Sequence, residues 1–344
     1  MSRFRSIPTL DDVARTAGVS TATVSRCLNR PERVIEATRI KVMKAVDLLG
    51  YTPNFGARAM AAKRTFTIGA IIPTMENAIF ARGLQAFQEE LHTRGYTLLV
   101  SSTGYQADAE AEQIRALVAR GADGLLLIGY ARDPAIYDFL QSRSVVTLIA
   151  WAFDKGSDHP SIGFDNRVSM KALADQVIAM GHRNIGMISG VVEGNDRAAG
   201  RLAGVRDSLR TNGLDPDAMP VIEAPYEIDH GATAFEALMQ TAPRPTAVMC
   251  GNDVLAVGAM RKAREMGMTV PDDISITGFD DIELARIVTP ALTTVHVPHG
   301  EMGRRAAEEL VNMLEGTSKG MVIELESTLQ MRDSLAANAN LVAP

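Results

Sequence analysis

Two adjacent aspartates, Asp280 and Asp281, stand directly after the apolar segment I-S-I-T-G-F. An apolar run of this length is typical of a buried strand in a parallel sheet. Because ligands of α/β domains bind beyond the carboxyl ends of such strands, we expect this pair to lie at a ligand site. Ligand binding is favoured over acid–base catalysis. The other acidic pair, Asp272–Asp273, follows a proline and is interpreted as a turn.

Motifs of several common enzyme classes are missing from the sequence. It has no G-x-x-x-x-G-K-[ST] phosphate loop, no G-x-G-x-x-G after a strand and no G-x-S-x-G nucleophile elbow. His296 and His299 form a single H-x-P-H, which is too short and too isolated for a zinc site. Two cysteines, Cys27 and Cys250, exclude a disulfide scaffold and fit a reducing cytoplasm. We expect no enzymatic activity, no cofactor and no metal.

The composition is that of a globular protein with more than one domain. The chain has 344 residues, of which 46% are hydrophobic and 22% charged. At about 150 residues per domain, that length predicts two or three domains. The longest nearly apolar run, 145–153, falls far short of the ~20 residues that a membrane helix needs. The opening M-S-R-F-R-S-I-P lacks the apolar core of a secretion signal, so we expect a cytoplasmic protein without a membrane partner.

Charge is distributed unevenly along the chain. Residues 1–64 contain twelve Lys/Arg and five Asp/Glu, a net charge of +7, which leaves −13 for the rest of a chain whose total is −6. A small basic module joined to a large acidic one predicts that the first binds a polyanion such as nucleic acid. An accidental bias in composition is the alternative.

The first 50 residues have the pattern of three short helices, at 10–17, 21–28 and 36–49. Capping residues and glycines mark their ends: Thr9 with Asp12, then Gly18, Ser20 and Gly50. The apolar positions of these helices are Leu10, Val13, Ala14, Ala17, Val24, Leu28, Ile40, Met43, Val46 and Leu49. A helix, an A-G-V-S turn and a second helix at this spacing indicate a DNA-binding helix-turn-helix. A plain three-helix bundle is the alternative.

From Phe66 onward, apolar strand-like runs alternate with helical periods. Seven such runs occur, at 68–73, 96–100, 124–128, 145–150, 184–188, 246–250 and 274–279. Continuous apolar runs separated by helices predict parallel sheets that are covered on both faces. The pattern is too long for one sheet of usual size, so we predict two α/β lobes with a boundary near 163–166.

Several segments resemble the LacI/GalR family of bacterial transcription repressors. They lie at 9–29 (T-L-D-D-V-A-R-T-A-G-V-S-T-A-T-V-S-R-C-L-N), 50–54, 57–60, 181–186, 251–259, 270–281 and 290–295, in order over nearly the whole chain. The middle section, with 73–80 and 163–166, looks most like the gluconate-repressor branch. The resemblance implies an all-α headpiece at 1–53, a hinge at 54–64 and a core at 65–344 like that of periplasmic binding proteins. Its lobes are expected at about 65–164 with 293–323, and at about 165–292 with 324–335.

By this resemblance, the second helix lies in the major groove of DNA, with Thr21, Ala22 and Arg26 at base-reading positions. Arg26 suits a guanine edge, whereas Ala22 offers only an apolar contact. Further DNA-binding positions are Thr9, Leu10, Ser20, Thr23, Ser25 and Asn29. Ser20 is equally a helix cap, and Thr23 or Ser25 equally a solvated hydroxyl.

The segment 54–62 matches the family's hinge helix, which folds on the operator and enters the minor groove. Its DNA-binding positions are Asn54, Ala57 and Met60. Met60 stands where the family usually has a leucine wedge, and it loses more side-chain entropy when held. Gly56 weakens the helix by about 1 kcal/mol relative to alanine. We therefore predict a hinge that is disordered without DNA.

The core is expected to bind a small sugar or sugar acid between its lobes. Positions that match the family's ligand residues, or stand near them, are Phe80, Trp151, Asp165, Arg197, Arg201, Tyr226, Asn252 and Asp280. Charged and amide groups suit ligand hydroxyls, and aromatic faces cover sugar C–H groups. Core packing is the alternative for Phe80 and Tyr226, and a surface position for Arg201. Arg197 suggests an acidic ligand, but Glu193 and Asp196 stand close enough to neutralise it.

Two such cores are expected to form a twofold dimer that binds a near-palindromic operator. The tail S-L-A-A-N-A-N-L-V-A-P lacks the leucine heptad of tetrameric relatives. Two other classes of protein share the core: a solute-binding protein and a sugar-modifying enzyme with a DNA-binding appendage. The first would need a signal peptide, and the second a phosphate loop or a positioned base. The sequence supplies neither.

Overall fold

The computed structural model describes residues 8–52, 56, 59, 64–76 and 78–338. The chain divides into two compact units at the boundary between Thr65 and Phe66. The N-terminal unit contains the helices α1 (Leu10–Ala17), α2 (Thr21–Asn29) and α3 (Glu36–Leu49), with a 3-10 turn at Pro31–Arg33. These bounds confirm the three predicted helices.

Local hydrogen bonds explain why these helices begin and end where the sequence predicts. The Thr9 hydroxyl accepts a hydrogen bond from the backbone N–H of Asp12, and the Asp12 carboxylate accepts one from the backbone N–H of Thr9 at 2.9 Å. Gly18 and Gly50 end α1 and α3 with left-handed φ angles of 67° and 62°. The capping side chains and the glycine ends supply hydrogen bonds to backbone groups that a helix terminus leaves unpaired.

The core of the N-terminal unit shows which face of α3 points inward. Its buried members are Val13, Ala14, Val24, Cys27, Val42, Ala45 and Tyr51. Of the four apolar positions noted in α3, Val46 and Leu49 pack against this core, whereas Ile40 and Met43 are 58% and 41% exposed. Val42, Ala45, Val46 and Leu49 repeat at helical spacing, so they form one stripe, and Ile40 and Met43 fall on another face.

The C-terminal unit alternates strands and helices. In chain order its elements are β1 (Thr67–Ile72), α4 (Ala78–Thr93), β2 (Thr97–Ser102), α5 (Ala107–Ala119), β3 (Gly124–Ile128), α6 (Pro134–Ser142), β4 (Val146–Ala150), β5 (Ser161–Gly163), α7 (Asn166–Ala179), β6 (Ile185–Gly190), α8 (Asp196–Thr211), β7 (Val221–Ala224), α9 (Ile228–Leu238), β8 (Ala247–Cys250), α10 (Asp253–Glu265), β9 (Ser275–Thr277), α11 (Glu283–Ile287), β10 (Thr294–His296), α12 (His299–Glu315), β11 (Val322–Glu324) and β12 (Thr328–Gln330).

These strands form two parallel sheets, one in each lobe. Lobe 1 contains six strands in the order β11-β5-β4-β3-β1-β2, and lobe 2 contains four in the order β7-β6-β8-β9. The antiparallel pair β10–β12 continues from the end of β9 through isolated bridges. β10 therefore lies with lobe 2, whereas the family resemblance predicts residues 293–323 in lobe 1. The chain passes between lobes three times, after β5, after β10 and after β11.

All seven predicted strand runs are strands in the structure: β1 to β4, β6, β8 and β9. β1 and β3 are buried along their whole length, which explains their continuous apolar sequence. None of the described helices is long and apolar enough to span a bilayer.

Helices α4 and α12 approach each other closely beside the lobe 1 sheet. A Cβ atom on Gly303 would collide with the backbone of Gly83, and one on Gly83 would collide with the indole of Trp151. The missing side chains let the two helices meet and leave room for Trp151, which is only 2% exposed. Both glycines therefore fix the wall of lobe 1 that faces lobe 2.

Candidate functional site

Helix α2 presents two of the predicted base-reading side chains to solvent. Ala22 and Arg26 are exposed, and Thr21 is half-buried. Arg26 forms no ion pair or side-chain hydrogen bond with any described residue. The guanidinium is therefore available on the surface of the N-terminal unit, as a base contact requires.

The other predicted DNA-binding residues have local partners or lie elsewhere. Ser20 caps α2 by accepting from the backbone N–H of Thr23 at 3.2 Å, and the two hydroxyls lie 2.9 Å apart. Exposed Thr9 caps α1, while Leu10 and Ser25 are half-buried and Asn29 ends α2. Asn54, Ala57 and Met60 lie outside the described residues.

A closed cavity lies between the two lobes of the C-terminal unit. Its lining comes mainly from loops and helix starts that follow the carboxyl ends of strands, where ligands of α/β folds bind. The lining residues are Ile79, Phe80, Tyr105, Trp151, Phe164, Asn166, Asn195, Arg197, Arg201, Tyr226, Asn252 and Asp280. The space open to the centre of a water molecule is only about 10 Å³, roughly the room of one water. A larger ligand therefore needs the lobes or their side chains to move apart.

Arg201 is the main buried cation of the cavity. It projects from α8, is 6% exposed, and donates to the Asn166 side-chain oxygen at 3.1 Å and to the Tyr226 hydroxyl at 2.9 Å. The guanidinium carbon lies 4.8 Å from the centroid of the Phe279 ring. Among the described residues, its buried Nε–H has no hydrogen-bond partner, and no carboxylate lies within 4.0 Å of the guanidinium. Arg201 therefore retains donor capacity that its neighbours do not use.

Asp280 faces Arg201 from the end of β9. It is 3% exposed and has a left-handed φ of 103°, a conformation that aspartate tolerates better than most residues. Burial raises the pKa of its carboxyl to about 7, although Arg201 and Arg197 oppose that change. Within the described chain, the carboxyl accepts no hydrogen bond, and the basic side chain within 4.0 Å of it is His299, whose Nε2 lies 3.8 Å away. Asp280 is thus a buried acid without local donors.

A tryptophan and a histidine stand behind Asp280. Trp151 Nε1–H donates to His299 Nδ1 at 3.0 Å, so the ring proton of neutral His299 is on Nε2, the nitrogen that faces Asp280. Burial lowers the pKa of His299 to about 3, which keeps the ring neutral. The H-x-P-H spacing brings His299 to notice only as a metal ligand and does not indicate a position beside the ligand site.

Arg197 and its neighbour Asp196 join the two lobes directly. Arg197 Nη1 donates to the carbonyl oxygen of Ile128 at 3.1 Å and pairs with the Asp196 carboxylate at 2.9 Å. The same carboxylate accepts from the backbone N–H of Tyr130 at 2.6 Å. Ile128 and Tyr130 belong to lobe 1, whereas Asp196 and Arg197 begin α8 of lobe 2. We call these three contacts the interlobe latch.

Seven of the eight predicted ligand residues line the cavity, and Asp165 does not. The Asp165 carboxylate caps α7, where it accepts from the backbone N–H groups of Arg167 and Val168 at 2.8 and 2.9 Å. The next residue, Asn166, reaches the cavity instead. Asn252 has two roles, because its side chain also caps α10 by accepting from Leu255 N–H at 2.9 Å.

Five lining residues were absent from the predicted set: Ile79, Tyr105, Phe164, Asn166 and Asn195. Asn195 caps α8 directly after a loop that follows β6, so its position after a predicted strand could have indicated it. Tyr105 has a left-handed φ of 61°, which its sequence context does not signal.

Comparison with protein families assigns both units. Residues 9–54 match the family described as bacterial regulatory proteins, lacI family. Residues 174–335 match the periplasmic binding protein-like domain. The chain is 34% identical over 310 residues to the HTH-type transcriptional repressor PurR of Vibrio atlanticus, covering 89% of this chain and 92% of that protein. It is 32% identical over 331 residues to the ribose operon repressor of Haemophilus influenzae, covering 95% and 98%.

Solved structures agree with these matches. A LacI family transcriptional regulator from Silicibacter pomeroyi superposes with a TM-score of 0.85 at 26% identity, covering 96% of this chain and 99% of that one. The lac repressor dimer bound to operator and the anti-inducer ONPF gives a TM-score of 0.84 at 28% identity, with coverage of 96% and 99%. The chain therefore belongs to the lacI family of bacterial regulatory proteins. It is a DNA-binding transcription regulator with a periplasmic-binding-protein-like ligand domain.

Proposed function

We propose that this protein is a homodimeric repressor that binds a near-palindromic operator and whose operator affinity depends on a small sugar or sugar acid. The observation that carries the effector part is the closed polar cavity, in which Arg201 and Asp280 are buried with unused hydrogen-bonding capacity. Leaving such groups unpaired costs about 1–3 kcal/mol each, so a polar ligand that pairs with them is favoured.

A physical link between ligand and operator follows from the position of the cavity between lobes. A ligand held by side chains of both lobes favours one lobe arrangement over others, and only such unequal affinity shifts a conformational equilibrium. In a dimer, this shift is expected to change the spacing of the two segments that precede Phe66. The exposed Arg26 and the positive charge of residues 1–64 support operator binding.

The test combines operator titration by fluorescence anisotropy with a thermal-shift screen of sugars and sugar acids. A ligand at 100 times its Kd adds about 2.7 kcal/mol of stability, which the screen detects. Arg201→Ala is expected to lose effector response tenfold or more while operator affinity without effector stays near wild type. Arg210→Ala, an exposed arginine on the same helix, is the matched control. Wild-type effector affinity in Arg201→Ala would remove the cavity from the proposal.

A further inference from the structure

We propose that the effector is a polyhydroxylated acid whose carboxylate or phosphate binds the unused edge of Arg201, and that a neutral sugar of the same length binds much more weakly. The inference rests on the proposed function and narrows its ligand class. It follows from the balance of charge around the cavity.

One of the two arginines that line the cavity is not matched by a local anion. Arg197 is neutralised by Asp196 at 2.9 Å, but Arg201 has no carboxylate of the described chain within 4.0 Å. Among the described residues, its hydrogen-bond partners are the neutral groups of Asn166 and Tyr226. A buried guanidinium is strongly disfavoured without an anionic partner, so an oxyanion from the ligand supplies what the protein does not.

The geometry of Arg201 suits this oxyanion. Nη1 and Nη2 each make a hydrogen bond to the protein, while Nε–H is buried and unpaired. A planar oxyanion pairs with the fork of a guanidinium through two parallel N–H···O bonds. One of these bonds takes the free Nε–H, and the other comes from Nη2 on the same edge, where it replaces the contact to Tyr226.

Among the described carboxylates, Asp280 is the one that interacts with the charge of Arg201, and its surroundings reduce its own negative charge. Groups that face it are Arg197 and Arg201 of α8, Asp253 of α10, His299 of α12 and the tyrosines at 105 and 226. Because burial raises its pKa to about 7, the carboxyl is only partly ionised near neutral pH. The cavity is then net positive, and Asp280 in its protonated form donates a hydrogen bond to the ligand.

An acidic ligand and a neutral one have opposite pH dependences. The negative charge of an acidic ligand favours protonated Asp280, so binding takes up a proton and affinity falls as pH rises through about 7. Hydroxyls of a neutral sugar donate to ionised Asp280, so binding releases a proton and affinity rises over the same range.

The experiment measures calorimetric Kd values of the full-length protein for matched pairs. The probes are aldonates, aldarates and uronates with their alditols or aldoses, for example D-gluconate with D-sorbitol, and hexose phosphates with their hexoses. We expect at least one acid to bind tenfold or more tightly than its neutral partner. The affinity for that acid should fall from about pH 6 to about pH 8. Binding by a sugar carboxylate or by a hexose phosphate shows which of the two anionic groups the site accepts.

Arg201→Gln removes the charge and keeps a side-chain donor. This variant should weaken binding of the acid tenfold or more and binding of the neutral partner less than threefold. Arg210→Gln, on the exposed side of α8, should change neither affinity. Equal affinity for acid and neutral partner, or no binding by any acid of the panel, would overturn the inference. If a neutral sugar then changes operator affinity, the proposed function stands alone. If no sugar of either kind does, the effector part of the proposed function fails as well.

Discussion

The carboxylate of Asp196 accepts a hydrogen bond from the backbone N–H of Tyr130 across the boundary between the two lobes, at 2.6 Å. The next residue, Arg197, donates to the carbonyl oxygen of Ile128 from the same helix start. All the groups in these contacts belong to the protein. The interlobe latch therefore stabilises this arrangement of the two lobes.

Asp196→Ala is expected to weaken effector binding tenfold or more, because a charge-assisted hydrogen bond that joins the two lobes contributes roughly 1.5–3 kcal/mol. Calorimetry with the effector measures this change, and Asp158→Ala, an exposed aspartate of lobe 1, serves as the control. Unchanged effector affinity in Asp196→Ala would mean that the latch does not stabilise the closed form.

Gly129→Ala tests the latch from the side of lobe 1. A Cβ at this position would collide with the Arg197 guanidinium and the Asp196 carboxylate, and the φ of 71° adds strain. We expect a loss of effector affinity similar to that of Asp196→Ala, and no further loss in the double variant, because both changes break the same contacts.

Gly213→Ala is the matched control for Gly129→Ala, since it has a φ of 72° with open space around its Cβ. It bears the left-handed strain without the collision. An equal loss of effector affinity in both glycine variants would attribute the effect to general destabilisation.

The adjacent residues Asp280 and Asp281 are expected to affect stability in opposite directions. The folded pKa of Asp280 is raised from 3.8 to about 7, so the native state holds a proton that the unfolded state has lost, and stability falls as pH rises from about 4 to about 7. Asp280→Asn should remove this loss and raise the free energy of unfolding at about pH 8 by up to about 4 kcal/mol, at about 1.4 kcal/mol per pKa unit. Denaturant unfolding of wild type and variant at about pH 4 and about pH 8 measures this change in the free energy of unfolding.

Asp281→Asn is the companion variant with the opposite expectation. Burial raises the pKa of Asp281, but hydrogen bonds from Arg286, Arg332 and His296 outweigh burial and lower it overall. Its carboxylate therefore stabilises the native state above pH 4, and this stability is lost as pH falls through the lowered pKa. The variant should be less stable than wild type at neutral pH and approach it in acid. Equal pH profiles for the two variants would contradict these assignments.

Arg26→Ala is expected to weaken specific operator binding by about 1–3 kcal/mol and to relax selectivity at one base position in each half-site. Arg39→Ala removes an arginine of α3 that pairs with Glu36, and it should weaken specific and nonspecific DNA binding about equally. Binding-site selection with randomised operators measures both. Full selectivity in Arg26→Ala would exclude Arg26 from base recognition.

Signals that act over a few residues made much of the fold predictable. Helix caps, glycine stops and continuous apolar runs depend on neighbours in sequence, and they located three helices and seven strands. The strands that escaped prediction are β5, β7, β10, β11 and β12, which have three or four residues each. β8 and β9 are equally short but lie within longer predicted runs, at 246–250 and 274–279. The strands that escaped prediction lack such a run, and their pairing depends on distant partners.

In the ligand site, too, short-range sequence patterns did not determine which single residues face the cavity. The sequence analysis placed the boundary between the lobes near 163–166, and the family resemblance selected Asp165 as a ligand residue there. The start of α7 uses that carboxylate for two backbone N–H groups, so Asn166 contacts Arg201 instead. Which of two neighbouring polar side chains faces a cavity depends on backbone geometry that only the assembled lobes determine.

The pairing of β5 with β11 has a consequence for how the protein is made. β11 and α12 are translated after nearly all of lobe 2, so lobe 1 lacks its outer strand and a covering helix until the ribosome has almost finished. The three helices of the N-terminal unit depend on short-range contacts and can fold as soon as they emerge. A nascent chain or a late nonsense product therefore has a DNA-reading module before it has any means of sensing an effector.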